Sequence, residues 1–253
     1  EYNSSYPLEK KTSSYSNILK PIISARYSPN NSKNMRHHDR RVDANTIFSL
    51  NRIGSNDSVE GGGSLSFGTE FYKTDLSNRE VFSSKIANVL RFDEDKNLPI
   101  NSSLGNKTSD IVGNLNFNPN NFFKINYEFS QDENLQNTNY QLLKNEFKVN
   151  NFISTFEYLN ENNTSEKQSY LSNKTVFGFN NANSFTFEAR ENKKTNATEF
   201  YNLMYEYKND CLTAAIQYNK DYYSDRDLKP NESIYFKLTI IPFGETRTPN
   251  LKK

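Results

Sequence analysis

The chain has 253 residues and a mean hydropathy of −0.88, and no stretch approaches the roughly 18 consecutive apolar residues of a membrane-spanning helix, so a helical membrane span is excluded. Only 34% of residues are hydrophobic, but 19 Phe and 16 Tyr beside 9 Gly and 8 Pro argue against a disordered or low-complexity chain. The net charge of +1, from 31 basic and 30 acidic residues well mixed along the chain, argues against a nucleic-acid-binding surface, and the single cysteine, Cys211, excludes an internal disulfide.

In chain order, the first strand is expected near Ile18–Ser28. Residues 29–59 follow as a long polar connection carrying His37, His38, Arg40 and Arg41, and a connection of this length is usually functional or disordered. From about Ser64 to Ile241 the dominant period is two. Leu65, Phe67 and Phe71 alternate with Ser64, Ser66, Gly68 and Glu70; Ile111, Gly113, Leu115 and Phe117 alternate with Val112, Asn114 and Asn116. The clearest run sets Phe123, Ile125, Tyr127 and Phe129 against Lys124, Asn126, Glu128 and Ser130. Phe185 and Phe187 then oppose Thr186, Glu188 and Arg190, and Tyr201, Leu203, Tyr205 and Tyr207 oppose Asn202, Met204, Glu206 and Lys208. Leu212, Ala214, Ile216 and Tyr218 precede the last run, Ile234, Phe236, Leu238 and Ile240, which alternates with Tyr235, Lys237 and Thr239.

The connections are expected to alternate in length. Asn- and Asp-rich pairs at 118–121, 150–151, 180–183 and 208–210 suit tight hairpin turns, because these residues tolerate positive φ. Longer polar segments lie near 93–108, 131–137, 160–167, 191–197 and 221–231. About twelve two-faced strands with short turns on one side and long loops on the other point to an antiparallel transmembrane β-barrel. Such a barrel crosses a bilayer with apolar side chains at alternate positions only, while Glu128, Glu188, Arg190 and Lys237 line a hydrated interior. A soluble sandwich would share the alternation but has no reason to segregate its loops.

Catalytic and ligand-binding readings are weaker. Glu60, Gly61, Gly62 and Gly63 lack the Lys-Ser/Thr ending and the helix of a phosphate loop, and fit a place where backbone packs closely. His37, His38 and Asp39 have no third metal ligand at a regular offset. No nucleophile-elbow sequence occurs and both histidines share one loop, which argues against a lipase. No cofactor is expected.

Three segments in order resemble the LptD, or organic solvent tolerance, family. They are LKPIISARYSPN (19–30) with DANTIFSLNRIGSNDSVEGGG (43–63), then SDIVGNLNFNPNNFFKINYEF (109–129), then the closing strands of 203–240 with Cys211 between them. Within the first, Asn51, Arg52, Asp57, Glu60, Gly61 and Gly62 fall on the family's loop motif. Lys20 replaces an acid before Pro21, Ile53 an aromatic residue and Ser58 a basic one, and the family's cysteine pair is reduced to Cys211. The resemblance implies an integral outer-membrane protein without enzymatic activity that inserts lipopolysaccharide into the outer leaflet through a lumen and a lateral gate. It implies that residues 1–253 are the C-terminal half of a larger barrel, with residues 29–59 luminal or extracellular. Residues 231–241 would be the last strand at the gate, formed by Ile234, Phe236, Leu238, Ile240 and Pro242. It also implies an LptE-like plug lipoprotein inside the barrel, an LptA-like bridge reached through a preceding periplasmic domain, and an inter-domain disulfide from Cys211. A self-contained pore or autotransporter translocator of about twelve strands is the alternative.

Overall fold

The computed structural model describes residues 1–54, 59–162, 167–222 and 230–240, together with the backbone of 244–247 and 251–252. It is an all-β chain. Two short strands, β1 (Tyr2–Ser5) and β2 (Leu8–Lys11), precede twelve long ones. These are β3 (Tyr15–Ser28), β4 (Gly62–Asp75), β5 (Glu80–Arg91), β6 (Ile111–Asn120), β7 (Phe123–Gln131) and β8 (Thr138–Val149). There follow β9 (Phe152–Glu161), β10 (Gln168–Gly178), β11 (Asn183–Asn192), β12 (Ala197–Lys208), β13 (Leu212–Asp221) and β14 (Asn231–Ile240). Two further short strands, β15 (Gly244–Arg247) and β16 (Leu251–Lys252), close the chain. From β3 to β14 each strand is hydrogen-bonded to its sequence neighbours, an uninterrupted meander; β1 and β2 both pair with β3, and β15 and β16 both pair with β14.

The expected dozen strands are therefore the twelve long ones. The four short strands were missed because none is long enough for a period to show. Positive φ at Asn78, Asn150 and Asn196 places Asn where tight turns require it. The connection after β11 is four residues, shorter than expected, because pairing with β12 continues through a bulge at Arg190/Glu191 as far as Asn192 and Ala197.

The chain forms two compact units. The first comprises Glu1–Asn120, Lys124–Leu143 and Leu159–Gln168. Its register builds two faces. Arg26, Ser64 and Arg91 share one row, Ser24, Ser66 and Val89 the next, then Ile22, Gly68 and Ala87, then Lys20, Glu70 and Lys85. On the opposite face the large apolar side chains Leu19, Ile23, Tyr27, Phe67, Ile86 and Leu90 are exposed. The hydrophobic core lies on the first face and is supplied largely by the connection between β3 and β4. Met35, Val42, Ala44, Ile47 and Ile53 pack with Ala87, Val89 and Val112 of the strands and with Leu98 and Leu104 of the β5–β6 connection. Each large aliphatic side chain so covered contributes about 1.5–3 kcal/mol. Gly68 packs too closely on β5 for any side chain: a β-carbon there would lie 2.4 Å from the Ile86 carbonyl oxygen and 2.6 Å from the Ala87 Cβ.

The second unit comprises Asn121–Phe123, Lys144–Tyr158 and Ser169–Lys253. Here a row of Phe177, Phe185, Tyr205, Ile216 and Phe236 runs across β10–β14, each side chain 37–51% exposed. The neighbouring row on the same face is Thr175, Phe187, Leu203, Tyr218 and Ile234. The other face carries Lys174, Glu188, Asn202, Asn219 and Ser233 in one row. Contiguous aromatic and aliphatic rows left uncovered, backed by a charged face, are unfavourable in water and suit strands bathed in lipid.

Candidate functional site: the inserted segment 29–61

The described residues of the segment between β3 and β4, 29–54 and 59–61, are folded rather than loose, and a single buried carboxylate ties them down. Glu60 is 3% exposed and meets three guanidinium groups. Its Oε1 accepts from Arg52 Nη2 at 2.5 Å and from Arg91 Nη1, and its Oε2 accepts from Arg52 Nε at 3.0 Å and Arg26 Nη1 at 3.2 Å. Arg26 comes from β3, Arg91 from the end of β5, and Arg52 from the segment itself, so the cluster clamps the connection to two strands. Arg52 also donates to Ser66 Oγ at 2.9 Å and Ser64 Oγ at 2.8 Å, while Arg91 Nη2 donates to the Gly61 carbonyl at 2.7 Å. Every acceptor site of the carboxylate is thereby filled by a charge-assisted bond, which is what makes burying it tolerable.

The glycines next to Glu60 have a steric reason. A β-carbon on Gly61 would lie 2.2 Å from the Asn30 carbonyl oxygen, and Gly62 has φ +77°. The Gly61 N–H donates to Ser32 Oγ at 2.8 Å, and Ser32 in turn donates to Asp95 Oδ2 at 2.5 Å. Farther along, Arg41 lies 3.2 Å above the Tyr140 ring of β8 and donates to Glu161 Oε1 of β9 at 3.0 Å. The Met35 N–H donates to the Asn97 carbonyl, and the Ile100 N–H to the Arg36 carbonyl, at 2.7 and 3.2 Å. The segment is thus laced to the β5–β6 connection, 92–110, by backbone as well as by its apolar side chains.

Beside this lacing lies a cleft of about 640 Å³ between the 92–110 and 132–137 connections, with Arg36, Lys96, Glu94, Asp95, Asp110, Asp132 and Glu133 in its wall. Asp132 is committed to its own turn: the backbone of Asn137, then the Asn137 side-chain amide, hold its carboxyl below the ordinary 3.8, against a smaller upward push from burial. Asp110 accepts from Ser130 Oγ at 2.7 Å and Asn139 Nδ2 at 2.8 Å.

Of the residues singled out in the sequence, Arg52, Glu60, Gly61 and Gly62 come together in this cluster, and Asn51 lies beside Arg52. Asp57 and Pro242 lie outside the described residues. Glu128 accepts from Asn114 Nδ2 at 3.5 Å; Arg190 pairs with Glu199 and lies 5.2 Å from the Tyr170 ring and 5.1 Å from the Phe200 ring. Glu188 and Lys237 are on the polar face of their strands, while Ile234, Phe236, Leu238 and Ile240 are on the opposite face of β14. Cys211 is an exposed free thiol in the β12–β13 turn, its N–H donating to Asn209 Oδ1 at 3.0 Å. His37 and His38 are exposed, and among the described residues no group of three His, Cys, Asp or Glu is placed to hold a metal.

The strand partners of this cluster, Arg26 and Arg91 on Glu60 and Ser64 and Ser66 on Arg52, were not foreseen. Arg26 did carry a signal, a charge standing at a polar-parity position of an otherwise uncharged strand end, but nothing local names its partner 34 residues away.

A family model described as LptD: LPS transport system D matches residues 1–187. No curated protein matches the chain.

Proposed function

Because the chain belongs to the LptD family, an outer-membrane family of lipopolysaccharide transport, we propose that it forms the membrane-embedded part of a translocon inserting lipopolysaccharide into the outer leaflet. One observation carries the step from family to mechanism: the exposed apolar rows of β10–β14, backed by a charged face. A lipopolysaccharide molecule has an anionic saccharide head and apolar acyl chains. The head needs a wide hydrated lumen, for which the face bearing Glu128, Glu188, Arg190 and Lys237 is suited. The acyl chains must leave sideways through a seam between strands, since a closed wall of hydrogen-bonded strands bars them.

In this reading the chain supplies the C-terminal part of a larger barrel. β14 is the strand at the seam, and Ile234, Phe236, Leu238 and Ile240 are its lipid side. Pro242, unable to donate a ladder hydrogen bond, would weaken that end of the seam. The clamped segment 29–61 occupies the luminal face and narrows the passage near the long connections. An LptE-like lipoprotein would fill part of the remaining lumen. An LptA-like bridge would deliver the lipid through a periplasmic domain to which Cys211, in a short turn, would be joined by a disulfide. The work is transport, with no bond made or broken in the lipid.

The test is depletion of the full-length protein in its native host, followed by labelling of surface lipopolysaccharide. Newly made lipopolysaccharide is expected to stop reaching the surface and to accumulate inside while other barrels still assemble. Unchanged surface labelling would replace this reading with that of a general pore.

A further inference from the structure

Along the clamped segment, charge is not distributed as in the rest of the chain. Over the whole sequence 31 basic residues balance 30 acidic ones, yet residues 33–41 hold Lys33, Arg36, Arg40 and Arg41 with His37 and His38 against the single acid Asp39. Lys33, Arg36, His37, His38 and Arg40 are all exposed. Arg41 is spent on Glu161 and the Tyr140 ring, and Asp39 accepts from Asn101 Nδ2 at 3.0 Å. Among the described residues none of Lys33, Arg36 and Arg40 has an ion-pair partner.

These cations are not at the end of a free tether. Met35 and Val42, 2% and 4% exposed, anchor the turn on both sides in the core. Backbone bonds from Met35 to Asn97 and from Ile100 to Arg36, with His38 to Met35 and Arg40 to His38, hold the intervening main chain. The turn is therefore presented at the end of the sheet where the long connection 92–110 lies. Unpaired guanidinium groups on an anchored backbone lose little on binding and favour phosphate, whose oxygens accept two parallel N–H bonds from one guanidinium. The adjoining cleft is unsuitable for an anion, since Glu94, Asp95, Asp110, Asp132 and Glu133 outnumber Arg36 and Lys96 in its wall. The binding edge is the turn itself.

We propose that the basic turn 33–40 is a phosphate-reading site, with Lys33, Arg36 and Arg40 as its ligand-contacting residues, engaging phosphate groups on the saccharide head of the lipid in transit. The site rests on the translocon reading and deepens it: it gives the inserted segment a contact with cargo in addition to its clamped fold.

The experiment uses the full-length protein in its host, with a photo-crosslinking residue in place of His37 and lipopolysaccharide pulse-labelled before irradiation. Newly made lipid is expected in the adduct during the pulse and to leave it in the chase. Lys33→Gln/Arg36→Gln/Arg40→Gln is expected to lower the adduct about tenfold, and the charge-keeping Lys33→Arg/Arg36→Lys/Arg40→Lys to restore part of it, since an ammonium keeps the charge but not the paired N–H bonds. Heat-dependent gel mobility of each variant checks that the barrel is formed; a variant that fails this check is replaced by the single exchange Arg36→Gln, read in the same way. Absence of an adduct, an adduct indifferent to the charge, or label appearing only in the chased lipid resident in the outer leaflet would each overturn the site while leaving the translocon reading standing. Unaltered export on depletion of the whole protein overturns that reading instead, and the site with it.

Discussion

Glu60 shows how one side chain decides the fate of a long connection. A carboxylate with both oxygens in low-dielectric surroundings is costly unless its lone pairs are filled, and three arginines fill them. The reverse holds as well: without Glu60, three guanidinium groups crowd one another on a buried face. Glu60→Gln keeps the shape but replaces an acceptor by an amide that donates toward Arg52 and Arg91. Loss of one member of a buried ion cluster costs about 3–5 kcal/mol. Because the cluster joins the segment to β3 and β5, that cost is expected to fall on the docking of 29–61. Trypsin should then cut at Arg36 or Arg40 in folded, detergent-solubilised Glu60→Gln protein and spare the parent. Equal protection of the two proteins would show that the apolar residues Met35, Val42, Ile47 and Ile53 hold the segment unaided.

At the scale of the element, the strands are two-faced, and the two faces of one strand should respond oppositely to the same substitution. On β13, Ile216 stands in the exposed row with Tyr205 and Phe236, whereas its neighbour Gln217 pairs with Met204 and Tyr235 on the polar face. Arginine on the lipid face of a barrel strand costs about 2–4 kcal/mol near the bilayer midplane. Ile216→Arg is therefore expected to depress folding into phospholipid vesicles by that amount, and Gln217→Arg to change it by under about 1 kcal/mol. If titration of the folded fraction against urea gives the two variants equal midpoints, the sheet does not present this face to lipid. The same two-facedness explains why the alternation was legible along β4, β6, β7 and β11–β14, while β1, β2, β15 and β16 were not: a strand of four residues or fewer offers too few repeats to distinguish a period from chance.

For the whole molecule, the lone thiol is informative because nothing within the described chain covers it. Cys211 is exposed in a short turn, and short turns mark the periplasmic end of an outer-membrane barrel. In an oxidising compartment an exposed thiol finds a partner when one is held near it. In the full-length protein, Cys211→Ser is expected to abolish a disulfide-linked, fast- or slow-migrating form on a non-reducing gel that reduction also removes in the parent. Identical migration of parent and variant without reductant would leave Cys211 outside any inter-domain bridge.

Much of this architecture is local and could be read directly. A strand with one face in lipid and the other in water must alternate, whatever its neighbours, so the long strands, the tight turn at Asn150 and the membership of the polar and apolar faces follow from residue order alone, whereas the short connection at Asn196 does not. The sequence also carried the resemblance to the LptD family, because the loop motif at 51–62 keeps its order and spacing. What it did not carry is why that motif exists. Glu60 and Gly61 read as a glycine-rich approach to a strand; that the carboxylate meets Arg26 and Arg91, and that the glycine lies against the Asn30 carbonyl, depends on β3, β4 and β5 pairing in one register. An ion cluster gathered from residues 26, 52, 60 and 91 is a property of that register, since only three-dimensional pairing brings such distant charges within hydrogen-bond distance.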